Sequence, residues 1–290
     1  MVPVVPCLAG AAGVMLCPMS AAPSPSPASL RVGSVPYLVG RPLNLGLEEE
    51  PAIELTLDVP AKLIAGLRSG DLDVALVSSI ELFRQPGYTY LPGLAVAGEG
   101  YVGSVQLFHR VPLAELRTVA LDPASRTAQA LVQVLAELDP TLPPLQFLEV
   151  PFGTDPREAG TDAWLRIGDP ALFEHLGEGL AHYNPSQRWA ELTGLPFVFA
   201  AWIAREGVDL TPHIASFERA AARGHAARPD LARAAAAEWS LDEAAMVEYL
   251  TVECSYRLDP ERQAKALATF ARHARPLGLA APGTEPRPAL

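Results

Sequence analysis

The chain has 290 residues, of which 49% are hydrophobic and 19% charged, with a net charge of −11. That composition excludes a wholly disordered chain, and the length is enough for two lobes. Thirty-three acids against 22 Lys and Arg leave no cationic footprint for a phosphate backbone, so no nucleic-acid partner is expected. After the first thirty residues no uncharged apolar run reaches the ~18 residues of a membrane span, so no membrane partner is expected either.

The first 29 residues contain no Lys, Arg, Asp or Glu and end in the Ala/Ser/Pro-rich run SAAPSPSPAS. They have an apolar core and small residues but not the positive start of a secretory signal, and are expected to be a disordered extension. Three cysteines, Cys7, Cys17 and Cys254, form no CxxC; the odd number speaks against a disulfide framework and for a reducing compartment.

Leu30–Val35 reads as a short buried strand. Ile53–Val59 alternates apolar and polar residues, so a strand is expected there. Pro60–Ser69 puts Leu63, Ile64 and Leu67 on one helical face, with Pro60 at the start and Gly70 past the end, the usual asymmetry of a helix. Asp73–Val77 is a further strand, and the βαβ alternation predicts parallel strands in an α/β fold. Gly103–His109 and Thr118–Leu121 read as strands, Arg126–Leu138 as an amphipathic helix capped by Ser125. Leu145–Val150 and Ala163–Ile167 are strands, and Leu195–Ile203 is apolar enough to be a strand buried on both faces. From Pro212 the chain is Ala-rich and helical, Cys254 included. Helices are expected to start at Thr211-Pro212, at a capping box of Ser240 and Glu243, and at Asp259-Pro260.

This order predicts one α/β block inserted into another. Residues 30–104 with 203–280 form one lobe, 105–202 the other, and 281–290 a flexible tail. Crossings near Ser104 and Trp202 would leave a cleft suited to a small ligand.

Within that frame most motifs are uninformative. Gly98-Glu-Gly100-Tyr-Val-Gly103 spells GxGxxG, but strand-like residues follow where a dinucleotide site needs a helix. The six histidines show no ligand spacing, so no metal site is expected; only His109, at a strand end, stays in reserve. Three strand ends carry polar groups, and ligands of α/β sheets bind at that edge. Ser125, Arg126 and Thr127 open a helix, where free N–H groups and two hydroxyls suit a carboxylate or phosphate; Ser125 as a plain cap is the simpler alternative. Glu81, after Val77-Ser78-Ser79, is either an acid–base group or a first-turn carboxylate. Asp169 either meets a ligand hydroxyl or caps a helix at Pro170.

Six segments taken together resemble one family. They are GSVPYL-x-x-x-PL (33–43), GDLDVALVSSIE (70–81), GYVGSVQLF (100–108), ALDPASRTAQAL (120–131), IGDPAL (167–172) and W-x-x-L-TGLPFVFAAW (189–202). The set is similar to the chorismate dehydratase of the futalosine (alternative) menaquinone pathway, over roughly Leu30–Ala274. The resemblance implies a fold like the type 2 periplasmic binding proteins, two α/β lobes around a central cleft. It implies a cytoplasmic enzyme, without metal or organic cofactor, that removes water from chorismate to give 3-[(1-carboxyvinyl)oxy]benzoate. Set against that chemistry, Ser125, Arg126 and Thr127 with the helix start behind them are expected to bind substrate carboxylate, Ser104 to offer a second hydroxyl, and Tyr37 to bind substrate. Glu81 and Asp169 are the candidates for proton transfer or for holding a hydroxyl, and a substrate carboxylate could itself take the ring proton. The first motif departs from the family's usual YLN: it reads Tyr37-Leu38-Val39, and Arg41 is the candidate to replace the missing polar contact. A solute-binding protein for a small carboxylate and a catalytically altered paralogue are the competing readings.

Overall fold

The computed structural model describes residues 29–289; 1–28 of the expected N-terminal extension lie outside the described residues. The first strand, β1 (Leu30–Ser34), is followed by the short helix α1 (Arg41–Asn44) and by β2 (Ile53–Leu57). Helix α2 (Pro60–Ser69) buries Leu63 and Leu67 and stops at Gly70, whose φ of 84° only glycine adopts without strain. Strand β3 (Val74–Ser78) then pairs with β1, and β1 with β2, both in parallel, as the βαβ alternation predicts.

Strand β4 (Thr89–Gly98) has no counterpart among the expected strands. Its sequence contains Pro92-Gly93, which reads locally as a turn. The structure absorbs the pair as a bulge against β10 (Phe197–Ala204): between the pairs Ala201–Ala95 and Ile203–Tyr90, Leu91–Leu94 face Trp202 alone. Gly93 has a φ of 83°, and its N–H donates to Gln263 Oε1 at 2.7 Å.

The chain leaves this sheet at Gly98 and starts a second one at β5 (Val105–His109). There follow β6 (Thr118–Leu121), helix α3 (Arg126–Leu138), β7 (Gln146–Glu149), β8 (Ala163–Ile167), the short helix α4 (Asp169–Leu172) and β9 (His182–Tyr183). The second sheet has the order β7-β6-β8-β5-β9. Helix α5 (Pro185–Thr193) returns the chain to β10, which runs antiparallel to both β3 and β4. Helices α6 (Ile214–Trp239) and α7 (Glu243–Glu248), strand β11 (Cys254–Arg257) and helix α8 (Pro260–Ala274) complete the first sheet and its covering layer, with the order β11-β4-β10-β3-β1-β2.

Four expectations are corrected. The segment 105–202 overruns the second sheet, because Phe197–Ala204 belongs to the first; the return crossing lies before Phe197, not near Trp202. Trp202 is fully buried and packs edge-on against Phe217 at 4.9 Å. Ser240 forms no capping box: it ends α6 in the left-handed region at φ 56°, and Asp242 caps α7 by accepting from Ala245 N–H at 2.8 Å. Cys254 lies in a strand, not a helix. The expected flexible tail is held along β4, where Tyr90 N–H donates to Arg287 O at 3.0 Å and Ala289 N–H donates to Tyr90 O at 2.8 Å. Thr284 is buried and donates to Phe83 O at 3.0 Å.

Candidate functional site

The carboxyl ends of β1, β3, β6 and β8 converge on a cavity of about 400 Å³. Ligands of open α/β sheets bind at that edge, because the turns that leave the strands there carry polar groups while the strands themselves are apolar. Here the walls are mostly apolar, with Val35, Val39, Leu76, Val96 and Phe199 contributed by the first half of the fold. The floor under Val35 is fixed by Asn44, whose amide donates to Ser34 Oγ at 2.9 Å and to Val35 O at 3.1 Å.

Four of the expected site residues stand in these walls: Tyr37, Ser104, Ser125 and Asp169. Ser125 precedes α3 with an extended backbone and accepts from Ala128 N–H at 3.2 Å. Its cap role and its place in the cavity therefore coexist. Among the described residues its hydroxyl hydrogen has no acceptor, and the N–H groups of Arg126 and Thr127 belong to a first helical turn that has no internal partners for them. Ser104 is buried at the end of the first crossing, and its carbonyl accepts from Gly168 N–H at 2.8 Å, which ties that crossing to the turn carrying Asp169. Gly168 has a φ of 67°, and this turn swings Asp169 from the end of β8 into the cavity. Asp169 caps nothing: Gly168 occupies the cap position of α4. Burial raises the Asp169 carboxyl above its ordinary range, since a charge is costly away from water. Among the described residues no donor reaches that carboxylate. Burial, and then the charge of Asp169, also push the Tyr37 phenol up, which keeps it a neutral donor.

The other four are not brought to the cavity. Glu81 is 2% exposed and faces the other way; its Oε1 accepts from Arg68 Nε at 2.8 Å and Nη2 at 2.5 Å. A carboxylate so buried needs a cation, and α2 supplies one. Thr127 is fully buried, and its Oγ1 accepts from Ile80 N–H at 3.1 Å, linking the start of α3 to the turn after β3. Its hydroxyl is thus engaged where the two halves of the fold meet, outside the cavity wall. Arg126 points into a neighbouring chamber, where its Nη1 donates to Gln129 Oε1 at 3.2 Å. Arg41 opens α1 as an exposed residue outside the walls, whereas Val39 itself lines the cavity. His109, held in reserve, bonds through Nδ1 to Val111 O at 2.8 Å and is not in the wall.

The cavity holds polar residues that sequence reasoning missed. Asp122 follows β6 and accepts from Ala124 N–H at 2.9 Å and Ile167 N–H at 3.1 Å, joining β6 to β8. Burial raises its carboxyl in spite of those bonds. Its place at a strand end, in the motif ALDPASRT, was the available signal. Arg166 lies in the wall but is held by Glu174, at 2.6 Å, and by Asp155, so its charge is committed. Cys254 is buried, and burial pushes its thiol up to about 12, so it lines the cavity as a neutral group. The buried phenol of Tyr249 stands beside the Ser104 hydroxyl and Cys254. Neither could be placed locally: Cys254 enters the cavity wall from β11 near the end of the chain, and Tyr249, not itself in the wall, comes from the segment just before it.

Comparison with known proteins agrees with this architecture. The periplasmic aliphatic sulphonate binding protein SsuA of Escherichia coli superimposes with a TM-score of 0.61 at 18% identity, over 90% of each chain, which shows the periplasmic-binding-protein fold. A chorismate dehydratase of Thermus thermophilus is 34% identical over 164 residues, 51% of this chain and 59% of that one. One from Campylobacter jejuni is 31% identical over 176 residues, 58% of this chain and 64% of its own length. The match thus spans about three fifths of those curated relatives. The model of the menaquinone biosynthesis family matches residues 30–276, and the chain belongs to that family.

Proposed function

We propose that this protein is a cytoplasmic chorismate dehydratase, which converts chorismate to 3-[(1-carboxyvinyl)oxy]benzoate and water. The observation that carries this reading is the cavity itself. In a chain of this family whose relatives include chorismate dehydratases, apolar walls enclose the hydroxyls of Tyr37, Ser104 and Ser125 and the raised carboxyl of Asp169.

The chemistry asks little beyond placement. One C–H bond breaks at the ring carbon beside the hydroxyl-bearing carbon, the C–O bond breaks, a C=C bond forms and water leaves. The product ring is aromatic, so the driving force resides in the substrate. The protein's share is to hold the ring, bind a carboxylate and assist the leaving hydroxyl. The Ser125 hydroxyl and the first N–H groups of α3 suit the carboxylate. Asp169, whose carboxyl burial raises above its ordinary range, gives a proton to the departing hydroxyl in this scheme. A substrate carboxylate takes the ring proton in this scheme, since no second free carboxylate faces the cavity among the described residues: Asp122 is engaged by two backbone N–H groups and Glu81 is turned away.

Incubation of the purified chain with chorismate, followed by mass spectrometry, tests the reading. The expected product is lighter than chorismate by one water and absorbs as an aromatic enolpyruvyl ether. Tight binding of chorismate without that product would overturn the enzyme assignment in favour of a binding protein.

A further inference from the structure

A second chamber of about 550 Å³ adjoins the first cavity and shares with it the walls Pro60, Ser78, Pro123, Ala124 and Phe152. Three arginines open into it, Arg68, Arg84 and Arg126, against two carboxylates, Glu81 and Glu149. This is a local excess of positive charge on a chain whose net charge is −11. The three cations are not equivalent. Arg68 is spent on Glu81, which is buried and binds it through two nitrogens. Arg126 stands 3.8 Å from Glu149, whose side chain is 75% exposed, and so solvated a pair holds an arginine weakly. Arg84 is exposed and, among the described residues, has no carboxylate within ion-pair distance. Among the described residues the first cavity has no comparable cation, since Arg166 is bracketed by Asp155 and Glu174.

We propose that the second chamber is a carboxylate subsite: a ring dicarboxylate seats its ring and one carboxylate in the first cavity and reaches past Ser78 and Phe152 to place the other between Arg84 and Arg126. Guanidinium groups match carboxylates in shape and can bind them with two parallel hydrogen bonds, so Arg84, with no carboxylate partner among the described residues, and Arg126, held only by the solvated Glu149 and by Gln129 Oε1 at 3.2 Å, select for a second anionic group beside the apolar ring cavity. Phe152 lines both chambers while 76% exposed, which leaves the passage between them open on its solvent side. The inference deepens the chorismate reading and rests on it for the identity of the natural dicarboxylate.

Calorimetric titration of the purified full chain tests it, with three ligands: chorismate, the stable ring dicarboxylate isophthalate, and the monocarboxylate benzoate. The proteins are the wild type, Arg84→Gln, Arg126→Gln and a remote control, Arg257→Gln, which removes an exposed arginine paired with Glu218. Arg84→Gln and Arg126→Gln are each expected to weaken both dicarboxylates about tenfold and benzoate by less than about twofold. Arg257→Gln is expected to change none of the three. Unchanged dicarboxylate affinity, equal losses for benzoate, or the same loss in Arg257→Gln would overturn the subsite. If the wild type binds isophthalate with the stated variant losses but not chorismate, the subsite stands and the chorismate reading falls. If chorismate binds all four proteins alike, the reverse holds. If neither dicarboxylate binds the wild type, both fall.

Discussion

Gly224 lies inside α6, where alanine would ordinarily be the better residue, by about 1 kcal/mol of helix propensity. The structure reverses that sign. A Cβ built at Gly224 would sit 2.2 Å from the carbonyl oxygen of Pro42, 2.5 Å from its carbon and 2.6 Å from its Cα. Ordinary carbon contacts are about 3.5–4.0 Å, so α6 would have to move away from α1 by ~1 Å or more. The atoms in the way are backbone. Asn44 anchors α1 to Ser34 and Val35 through side-chain hydrogen bonds, and Leu43 and Leu47 are fully buried, so α1 cannot swing aside. Overpacking of this kind costs up to about 3 kcal/mol; set against the propensity gain, Gly224→Ala is expected to destabilise by about 2 kcal/mol. For a chain of this size that lowers the melting temperature by roughly 4–8 °C, measured by circular dichroism. The turn leading into α1 carries Tyr37 and Val39 into the cavity wall, so ligand affinity should fall as well, measured by the same titration. A melting temperature equal to or above the wild type would refute the reasoning, since the propensity term would then have outweighed the overlap.

Other perturbations give separate readouts. Asp139 is buried and accepts from Arg188 Nε at 2.7 Å, Tyr183 Oη at 2.7 Å and Thr141 Oγ1 at 2.8 Å. Burial alone would raise its carboxyl, but these bonds outweigh it and hold the group well below the usual carboxylate range. Arg188→Met should therefore cost about 3 kcal/mol near neutral pH by leaving the charge unpaired. A depressed carboxyl stabilises above its unfolded value and loses that contribution as pH falls through its folded value, so the gap between variant and wild type should close below about pH 4. Urea midpoints across pH check this, and a constant gap would contradict it. Asp169→Asn is expected to cut turnover of chorismate at least about a hundredfold with binding nearly unchanged. Because the protonated form is the donor, the wild-type rate should fall as pH rises through the raised Asp169 value, and the variant should lose that limb. The Cys254 thiol, pushed up to about 12 by burial, should resist iodoacetamide at pH 8 in the folded chain and react once it unfolds, as read by peptide mass mapping. Rapid labelling of Cys254 in the native protein would show that the thiol is neither buried nor neutral.

Much of the fold was legible because its signals are local. Pro60–Ser69, Thr118–Leu121, Arg126–Leu138 and Ala163–Ile167 form the elements that their apolar period and caps predict. β4 was not legible, since Pro92-Gly93 reads as a turn and becomes a bulge only when β10 lies alongside and Gln263 accepts the spare N–H. The tail, free of any strong pattern, is ordered by backbone bonds to Tyr90.

The candidate site divides in the same way. The positions of Ser125, Ser104 and Asp169 at strand ends were readable, because a strand end fixes where a polar residue emerges. Their separation from Glu81, Thr127 and Arg126 was not, for residues a few positions apart around a strand-to-helix turn point in opposite directions, and distant partners decide which way. Arg68 claims Glu81, the Ile80 N–H claims Thr127, and Arg126 opens into the second chamber. Periodicity and capping thus determined the elements and the sheet edge at which a ligand binds. Only tertiary packing decided which side chains share a cavity, because that depends on contacts between residues far apart in the chain, whose free energies no local pattern contains.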